Sequence, residues 1–278
     1  MKAIRRNLHV VVVLLALVPA LLAPSLHAEI AEVNGAKIYY EIHGEGEPLL
    51  LLHGFGGSGE GFNRFLDDYT ATYRVIVPDL RGHGRSTNPS GKFTHRQAAK
   101  DVYTLLDKLG IRSVRGIGTS TGGMTLIHMA TQQPERVEAM IVLGATIYFP
   151  EQAREIMRKR DPAKMTPKDY ERGRRTHKNG DEQVLALRRQ FYNFKDSYDD
   201  MNFTPPYLAT IKARTLIVHG DRDQFFPVNI PIEMYQSIPN SSLWIIPNGG
   251  HGPHRQHPEE FVKLTKQFLA GEMSSRER

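Results

Sequence analysis

The segment of this sequence best suited to catalysis is a serine flanked by glycines. Gly118-Thr119-Ser120-Thr121-Gly122 follows a short apolar run, leads into a helical pattern and has the G-x-S-x-G spacing. A serine on so tight a strand-to-helix turn takes a strained backbone conformation, so the residues two positions away must lack side chains. The turn exposes the hydroxyl at the positive end of the helix. The spacing predicts a nucleophile at Ser120. The alternative is a turn whose hydroxyl residues only cap the helix.

Three other loops carry groups that complete this chemistry. A glycine-rich turn contains Phe55, whose backbone N–H could form an oxyanion hole with the N–H of Thr121. Two carboxylates, Asp221 and Asp223, follow another apolar run, and His251 lies in a glycine-rich loop before the last helical pattern. Acyl transfer needs a hydroxyl, an imidazole to take its proton and a carboxylate to orient the imidazole. The sequence therefore predicts acyl transfer, with either carboxylate as the orienting acid.

Strand and helix patterns alternate along the chain and would position these loops. A hairpin is predicted first, with Glu29–Val33 and Ala36–Ile42 joined by the turn Asn34-Gly35. The predicted strands after it are Pro48–His53, Arg74–Pro78, the run before Ser120, Val137–Leu143, Thr215–His219 and Ser242–Ile246. The predicted helices that alternate with these strands are Thr94–Leu109, the helix that follows Ser120, Pro231–Ser237 and Pro258–Leu269. Such alternation is typical of the α/β class, with a mostly parallel sheet, helices on both faces and the hairpin at its edge. Ligands bind such sheets at the carboxyl ends of the strands, where all four loops lie.

The sequence resembles the α/β-hydrolase superfamily over nearly all of the chain that follows residue 28. The matching motifs are His53-Gly54-Phe55-Gly56, the run from Asp79 to Ser86, Gly118–Gly123, Gly220–Asp223 and Gly250-His251. The resemblance implies the α/β-hydrolase fold with an inserted helical cap, no cofactor, Ser120 as nucleophile, Asp223 as acid and His251 as base. A serine at the nucleophile position disfavours the haloalkane dehalogenase and epoxide hydrolase branches of the superfamily, which use a carboxylate nucleophile.

The alternation breaks between the two halves of the predicted core. We predict a signal peptide over residues 1–28, core over 29–147 and 207–278, and a cap over 148–206, where helices are predicted at Glu151–Arg160, Pro167–Thr176 and Asp181–Phe194. Aromatic side chains crowd the end of this insertion. Four of them are predicted to line a substrate pocket, although packing of the cap on the core is an equal alternative; they are Phe191, Phe194, Tyr198 and Phe203.

The N-terminal segment predicts export. Basic residues in Met1–Arg6 precede an apolar run from Leu8 to about Ala23, and small residues precede a plausible cleavage site after Ala28. The predicted location is periplasmic or secreted, with no stable membrane insertion after cleavage. An uncleaved membrane anchor is the alternative, although the run is short for a full span.

Composition excludes several other kinds of protein. The 278 residues include no cysteine, which excludes disulfides, thiolate catalysis and Cys-ligated metals. The formal charge is +6, but half of this excess lies in Lys2, Arg5 and Arg6, so no nucleic-acid partner is predicted. His254 and His257 share a loop with His251, but this irregular spacing is a weak ligand set and no metal is predicted.

The function predicted from these features is that of an exported serine hydrolase. It would cleave small to medium apolar carboxylic esters through an acyl-enzyme, with a small-molecule ester as its partner. A lactonase, a carbon–carbon bond hydrolase or a perhydrolase could use the same three residues. The alternative outside catalysis is a hydrolase-like module that only binds ligands.

Overall fold

The computed structural model describes residues 27–273, which form one sheet with helices on both of its faces. The strands are β1 (His27–Val33), β2 (Ala36–His43), β3 (Glu47–Leu52), β4 (Tyr73–Pro78), β5 (Val114–Thr119), β6 (Val137–Leu143), β7 (Arg214–Gly220) and β8 (Ser241–Ile246). The helices are α1 (Leu66–Thr70), α2 (His95–Lys108), α3 (Thr121–Gln132), α4 (Glu151–Arg158), α5 (Pro167–Thr176), α6 (Asp181–Asn193), α7 (Pro205–Leu208), α8 (Asn229–Ser237) and α9 (Pro258–Ala270). Except for its last two residues, the predicted signal peptide lies outside the described residues.

The sheet confirms the predicted α/β class and the edge position of the hairpin. Its strand order is β1-β2-β4-β3-β5-β6-β7-β8. β1 and β2 pair antiparallel, β2 pairs antiparallel with β4, and all later neighbours are parallel. Asn34 and Gly35 have φ of 45° and 74°, the positive values that a two-residue hairpin turn requires. The carboxyl ends of the parallel strands consequently meet at one edge, where the predicted site loops lie.

Burial on both faces explains why the strands read as continuous apolar runs. Leu49, Leu50, Leu51 and Leu52 of β3 are all completely buried. Leu50 and Leu52 pack in the hydrophobic cluster that includes α2 and α3, whereas Leu49 and Leu51 belong to the cluster on the opposite face. Full burial of such a side chain stabilises the fold by roughly 1.5–3 kcal/mol. Strand β3 therefore fixes the middle of the sheet beside the serine turn.

The insertion between β6 and β7 carries α4, α5, α6 and α7. The three predicted helices, α4, α5 and α6, begin where the sequence predicts, and α4 and α6 end two residues and one residue earlier than predicted; α7 was not predicted. The buried Arg154 of α4 connects the segment before α4 to the segment after α6, since its guanidinium donates to the carbonyls of Phe149 (3.0 Å) and Ser197 (2.9 Å). Tyr148 and Asn202 add an isolated β-bridge at its base.

Within residues 27–273 no helix is both long enough and apolar enough to cross a membrane. The short helix α1 and the 3-10 turn before it, Gly59–Phe65, were not predicted from the sequence. They lie between β3 and β4 and have no marked apolar period. Phe62, Phe65 and Tyr69 nevertheless bury their rings against the sheet, so packing defines this segment.

Candidate active site

The serine turn has the strained geometry that its glycine spacing predicts. Ser120 has φ 51° and ψ −115°, between the end of β5 and the first residue of α3. A Cβ on Gly118 would lie 2.4 Å from the backbone of Gly122, and a Cβ on Gly122 would lie 2.0 Å from the carbonyl oxygen of Leu52. Real side chains do not tolerate such distances, so both positions require glycine. The N–H of Ser120 donates to the carbonyl of Leu143 at 2.7 Å, which fixes the turn to β6.

Ser120, His251 and Asp223 form a continuous hydrogen-bonded chain. The Ser120 hydroxyl lies 3.0 Å from Nε2 of His251. Nδ1 of His251 donates to Oδ2 of Asp223 at 2.8 Å, because a carboxylate only accepts. The donor position at Nδ1 leaves Nε2 free to accept the serine proton. The three groups, 131 and 28 residues apart along the chain, thus have the geometry of a nucleophile, its base and an orienting acid.

The acid loop shows why Asp223 rather than Asp221 reaches the histidine. The side chain of Asp223 is completely buried, and its Oδ1 accepts hydrogen bonds from the N–H groups of Phe225 (2.7 Å) and Phe226 (3.2 Å). These bonds hold the carboxylate in one orientation. Asp221 is solvent-exposed, with Arg222 4.0 Å away. The carboxylate selected by the resemblance is the one that the structure brings to His251.

The two predicted oxyanion donors lie beside the serine. Phe55 and Thr121 line the same cavity as Ser120. Thr121 is the first residue of α3, so its N–H has no acceptor within the helix. The turn that holds Phe55 is fixed by His53, whose Nδ1 donates to the carbonyl of Gly54 (2.8 Å) and whose Nε2 accepts from the N–H of Leu80 (2.9 Å). Both backbone donors are therefore available to a developing negative charge.

A cavity of about 240 Å³ opens above Ser120 and is mostly apolar. Its walls combine the core loops with the insertion: Phe55, His95, Ser120, Thr121, Met124, Phe149, Met157, Arg160, Phe191, Phe194, Phe225, Phe226 and His251. Of the four aromatic residues predicted to line a pocket, Phe191 and Phe194 do so. Tyr198 does not, because it stacks on the guanidinium of Arg154 (4.0 Å) and remains 64% exposed. Phe203 is buried elsewhere, packed on His128 (4.8 Å).

Several lining residues were missed from the sequence. Phe225 and Phe226 directly follow the acid, and their rings pack on His251 at 4.6 and 5.4 Å, so proximity to the acid loop was an available signal. Arg160 ends the basic run Arg158-Lys159-Arg160 and is followed by Asp161, a charged pattern typical of a solvated helix face, so the sequence alone does not mark it as a pocket residue. His95 is the first residue of α2, and no neighbouring residue in the sequence indicates that it lines the cavity.

Four other histidines, His128, His219, His254 and His257, lie outside the hydrogen-bonded chain at Ser120, although His219 lies 3.7 Å from the carboxylate of Asp223. Nε2 of His219 donates to the carbonyl of Phe226 at 2.9 Å, and Nε2 of His128 donates to the carbonyl of Asp200 at 2.8 Å. His254 packs between Phe65 and Phe261, and Nδ1 of His257 donates a hydrogen bond to Glu260 at 2.9 Å. None of these four touches Ser120.

Comparison with known proteins places this chain among hydrolases. The sequence model of a family described as "alpha/beta hydrolase fold" matches residues 47–186. The 2-hydroxymuconate semialdehyde hydrolase of Pseudomonas putida is 30% identical, over 89% of this chain and 97% of its own. The human serine hydrolase BPHL is 29% identical, over 85% and 84%. A meta-cleavage product hydrolase from Pseudomonas fluorescens superposes with a TM-score of 0.71 at 22% identity, over 88% and 98%.

These matches extend over both the core and the insertion. The relatives cover four fifths or more of the chain and are themselves covered to a similar extent. The structural neighbour shares the whole fold. The chain therefore belongs to the alpha/beta hydrolase fold family and is a hydrolase.

Proposed function

We propose that this hydrolase cleaves a carbon–carbon bond next to a carbonyl group in a small, unsaturated, carboxylate-bearing substrate. The sequence reading placed neutral esters first and this reaction among the alternatives. The relatives favour the alternative, because the 30% identical protein is named for 2-hydroxymuconate semialdehyde. That compound contains no ester or amide, so its hydrolysis must break a bond between carbons.

The reaction begins with the hydrogen-bonded chain at Ser120. His251 takes the serine proton as the hydroxyl oxygen attacks the carbonyl carbon, and Asp223 stabilises the charged imidazole. The N–H groups of Phe55 and Thr121 receive the negative oxygen. Collapse of this intermediate breaks the carbon–carbon bond and leaves the acyl group on Ser120. Water, deprotonated by His251, then releases the acyl group as a carboxylic acid.

A carbon leaving group makes one further demand on the substrate. The electron pair of the broken bond must pass into a conjugated system that ends in oxygen, since an isolated carbanion is too basic to leave. A 2-hydroxydienoate meets this demand once its enol has become a ketone and the carbon next to the reacting carbonyl has gained the proton. The leaving fragment then departs as a delocalised dienolate and is protonated. An apolar cavity that excludes bulk water protects this intermediate.

Arg160 is the observation that favours a carboxylate over a neutral ester. It lies at the rim of an otherwise largely apolar cavity. Within residues 27–273 the guanidinium of Arg160 forms no hydrogen bond or ion pair. The charge of Arg160 contributes to lowering the pKa of Asp169, but the hydrogen bonds of that carboxylate are with Thr166. An arginine in this position offers two parallel donors to a carboxylate, a match that a neutral ester does not use.

The test compares two substrates in three proteins. The ratio of kcat/KM for 2-hydroxymuconate semialdehyde to that for p-nitrophenyl butyrate is measured in the wild type, in Arg160→Gln and in Arg158→Gln. Arg158 is the matched control because it is exposed and already paired with Glu151. Loss of Arg160 should lower the ratio about tenfold or more, since hydrogen bonds to charged groups contribute roughly 1.5–3 kcal/mol. An unchanged ratio, or a wild type that hydrolyses only the ester, would contradict the proposal.

Export and the cap complete the proposal. We propose that residues 1–28 direct export and are removed, although β1 already pairs His27 with Ile42 and Ala28 with Glu41. Cleavage would leave the strand from Glu29 to Val33 in place. N-terminal sequencing of the protein from the periplasm or the medium tests this, and a cytoplasmic protein with an intact N-terminus would refute it. The insertion (148–206) is proposed as the cap that closes the cavity, because Phe191 and Phe194 lie in its wall.

A further inference from the structure

A second buried histidine–carboxylate pair lies in the wall of the Ser120 cavity. Asp200, in the insertion, accepts hydrogen bonds from the N–H groups of His95 (2.7 Å) and Arg96 (3.1 Å) and from Nδ1 of His95 (2.7 Å). Desolvation raises the pKa of Asp200, but the hydrogen bonds from His95 and Arg96 outweigh it and lower the pKa to about 2. Asp200 is therefore an ionised acceptor, and the hydrogen atom on Nδ1 of His95 points at it.

The other nitrogen of His95, Nε2, has no hydrogen-bond partner in the part of the chain that the structure describes. The side chain is completely buried, and no hydrogen-bonding group among the described residues reaches Nε2. The ring is packed against Phe93 (5.5 Å), Phe149 (6.0 Å) and Phe194 (5.4 Å). His95 nevertheless lines the cavity that holds Ser120. Since Asp200 occupies the Nδ1 side, the polar atom that His95 can offer to the cavity is Nε2. A buried polar atom without a partner is uncommon in proteins, and among those in residues 27–273 the one on His95 belongs to a residue that lines the Ser120 cavity, where a ligand group can pair with it.

The tautomer of His95 is fixed by Asp200, whose carboxylate accepts the hydrogen atom on Nδ1. In the neutral ring the hydrogen is on Nδ1, so Nε2 is an acceptor. This pair is separate from the chain of Ser120, His251 and Asp223, which already accounts for proton transfer to and from the nucleophile.

We propose that Nε2 of His95 accepts a hydrogen bond from a hydroxyl group of the substrate. The inference rests on the proposed function and adds a determinant of specificity: the substrate should carry a hydroxyl, as 2-hydroxydienoates do, besides the carboxylate that Arg160 favours. A site that pairs a buried acceptor with a substrate hydroxyl discriminates against the analogue that lacks it, because the acceptor is then left unpaired. Asp200 is the positioning residue that fixes the tautomer of His95.

The experiment measures binding without turnover. In Ser120→Ala protein, dissociation constants are determined for 2-hydroxymuconate semialdehyde and for muconate semialdehyde, which differ by one hydroxyl. The hydroxylated compound should bind at least about tenfold more tightly, the effect expected for pairing one buried acceptor. Adding His95→Phe should bring the two constants within about twofold. Adding His254→Phe, a matched change at a buried histidine outside the cavity, should leave the tenfold preference intact.

A second variant decides the result if His95→Phe does not fold. Asp200→Asn places an amide beside Nδ1, which moves the hydrogen to Nε2 and converts the acceptor into a donor. The preference for the hydroxylated compound should then disappear or reverse. Equal affinities in Ser120→Ala, or tighter binding of the compound without the hydroxyl, would overturn the inference. Carbon–carbon bond cleavage by the wild type together with equal affinities refutes only the role of His95. A tenfold preference without such cleavage refutes only the proposed reaction.

Discussion

Lowering the pH from about 6.5 to 4 should strongly destabilise this fold, because three buried histidines resist protonation. Burial lowers the pKa of His128, His177 and His254 to about 4 in each case, with neighbouring cations adding to the effect at His254. In the unfolded chain these imidazoles have pKa values near ~6.5. As the pH falls below that value, the unfolded chain takes up protons that the folded protein does not bind. The stability contributed by the neutral rings is therefore complete above about pH 6.5 and is lost between there and pH 4.

The size of the effect follows from the three shifts. At pH 5 each histidine favours the unfolded chain by about 2 kcal/mol, since one pKa unit corresponds to about 1.36 kcal/mol and the pH lies about 1.5 units below the unfolded pKa. Together the three amount to about 6 kcal/mol, comparable to the whole unfolding free energy of many domains, about 5–15 kcal/mol.

Urea unfolding at pH 7 and pH 5 measures this loss, with the single tryptophan, Trp244, as the fluorescent reporter. The variant His254→Phe should reduce the difference between the two pH values by about 2 kcal/mol, since it removes one of the histidines whose pKa is lowered in the folded protein. Its packing change affects both pH values equally and cancels. The control is the exposed His257→Phe, which should keep the wild-type difference. A wild-type loss below about 2 kcal/mol, or a His254→Phe variant with the full loss, would refute the reasoning.

Three further predictions concern the site. Asp223→Asn should lower kcat about 10⁴-fold through the wrong histidine tautomer, while Asp221→Asn stays within a few-fold; the reverse order would identify the other carboxylate as the acid. Phe191→Ala should change the preference between acetate and longer aryl esters, whereas Tyr198→Ala, outside the cavity, should scale all esters equally; equal scaling in both variants would mean that Phe191 only packs. Gly122→Ala should fail to fold or melt well below the wild type, because its Cβ would meet a backbone carbonyl at 2.0 Å; an unchanged melting temperature would show that the turn can relax.

Features with a local chemical signature were predictable from the sequence. The leucines of β3 are apolar without alternation because both faces of the sheet are covered, and Asn34-Gly35 supplies the two positive φ values of the hairpin turn. Gly118 is required by its contact with the backbone of Gly122 within the serine turn, whereas Gly122 is required by the carbonyl of Leu52 in the neighbouring strand β3. The choice of Asp223 needed the resemblance, since both carboxylates follow the same strand.

Features that depend on distant packing were not predictable. His95 and Asp200 are 105 residues apart, and nothing near either residue indicates the other. Tyr198 belongs to an aromatic cluster in the sequence, yet the buried Arg154 attracts its ring away from the cavity. The atom that leaves the carbonyl carbon is also undetermined by the three residues at Ser120, because they activate the attacking oxygen whatever bond is broken. Ester and carbon–carbon cleavage are therefore both compatible with the three residues, and the proposal of carbon–carbon cleavage rests on the relatives and on Arg160, whose guanidinium has no hydrogen-bond or ion-pair partner among residues 27–273.

The central claim is that Ser120 drives hydrolysis of a carbon–carbon bond. Its most direct test is product formation from 2-hydroxymuconate semialdehyde by the wild type and by Ser120→Ala, followed by NMR. The wild type should release formate and 2-hydroxypenta-2,4-dienoate in equal amounts, water supplying the oxygen of the acid and the hydrogen of the dienoate. Ser120→Ala should be slower by about 10⁴–10⁶-fold. Undiminished product formation by Ser120→Ala, or a wild type that leaves the compound intact while hydrolysing aryl esters, would contradict the claim.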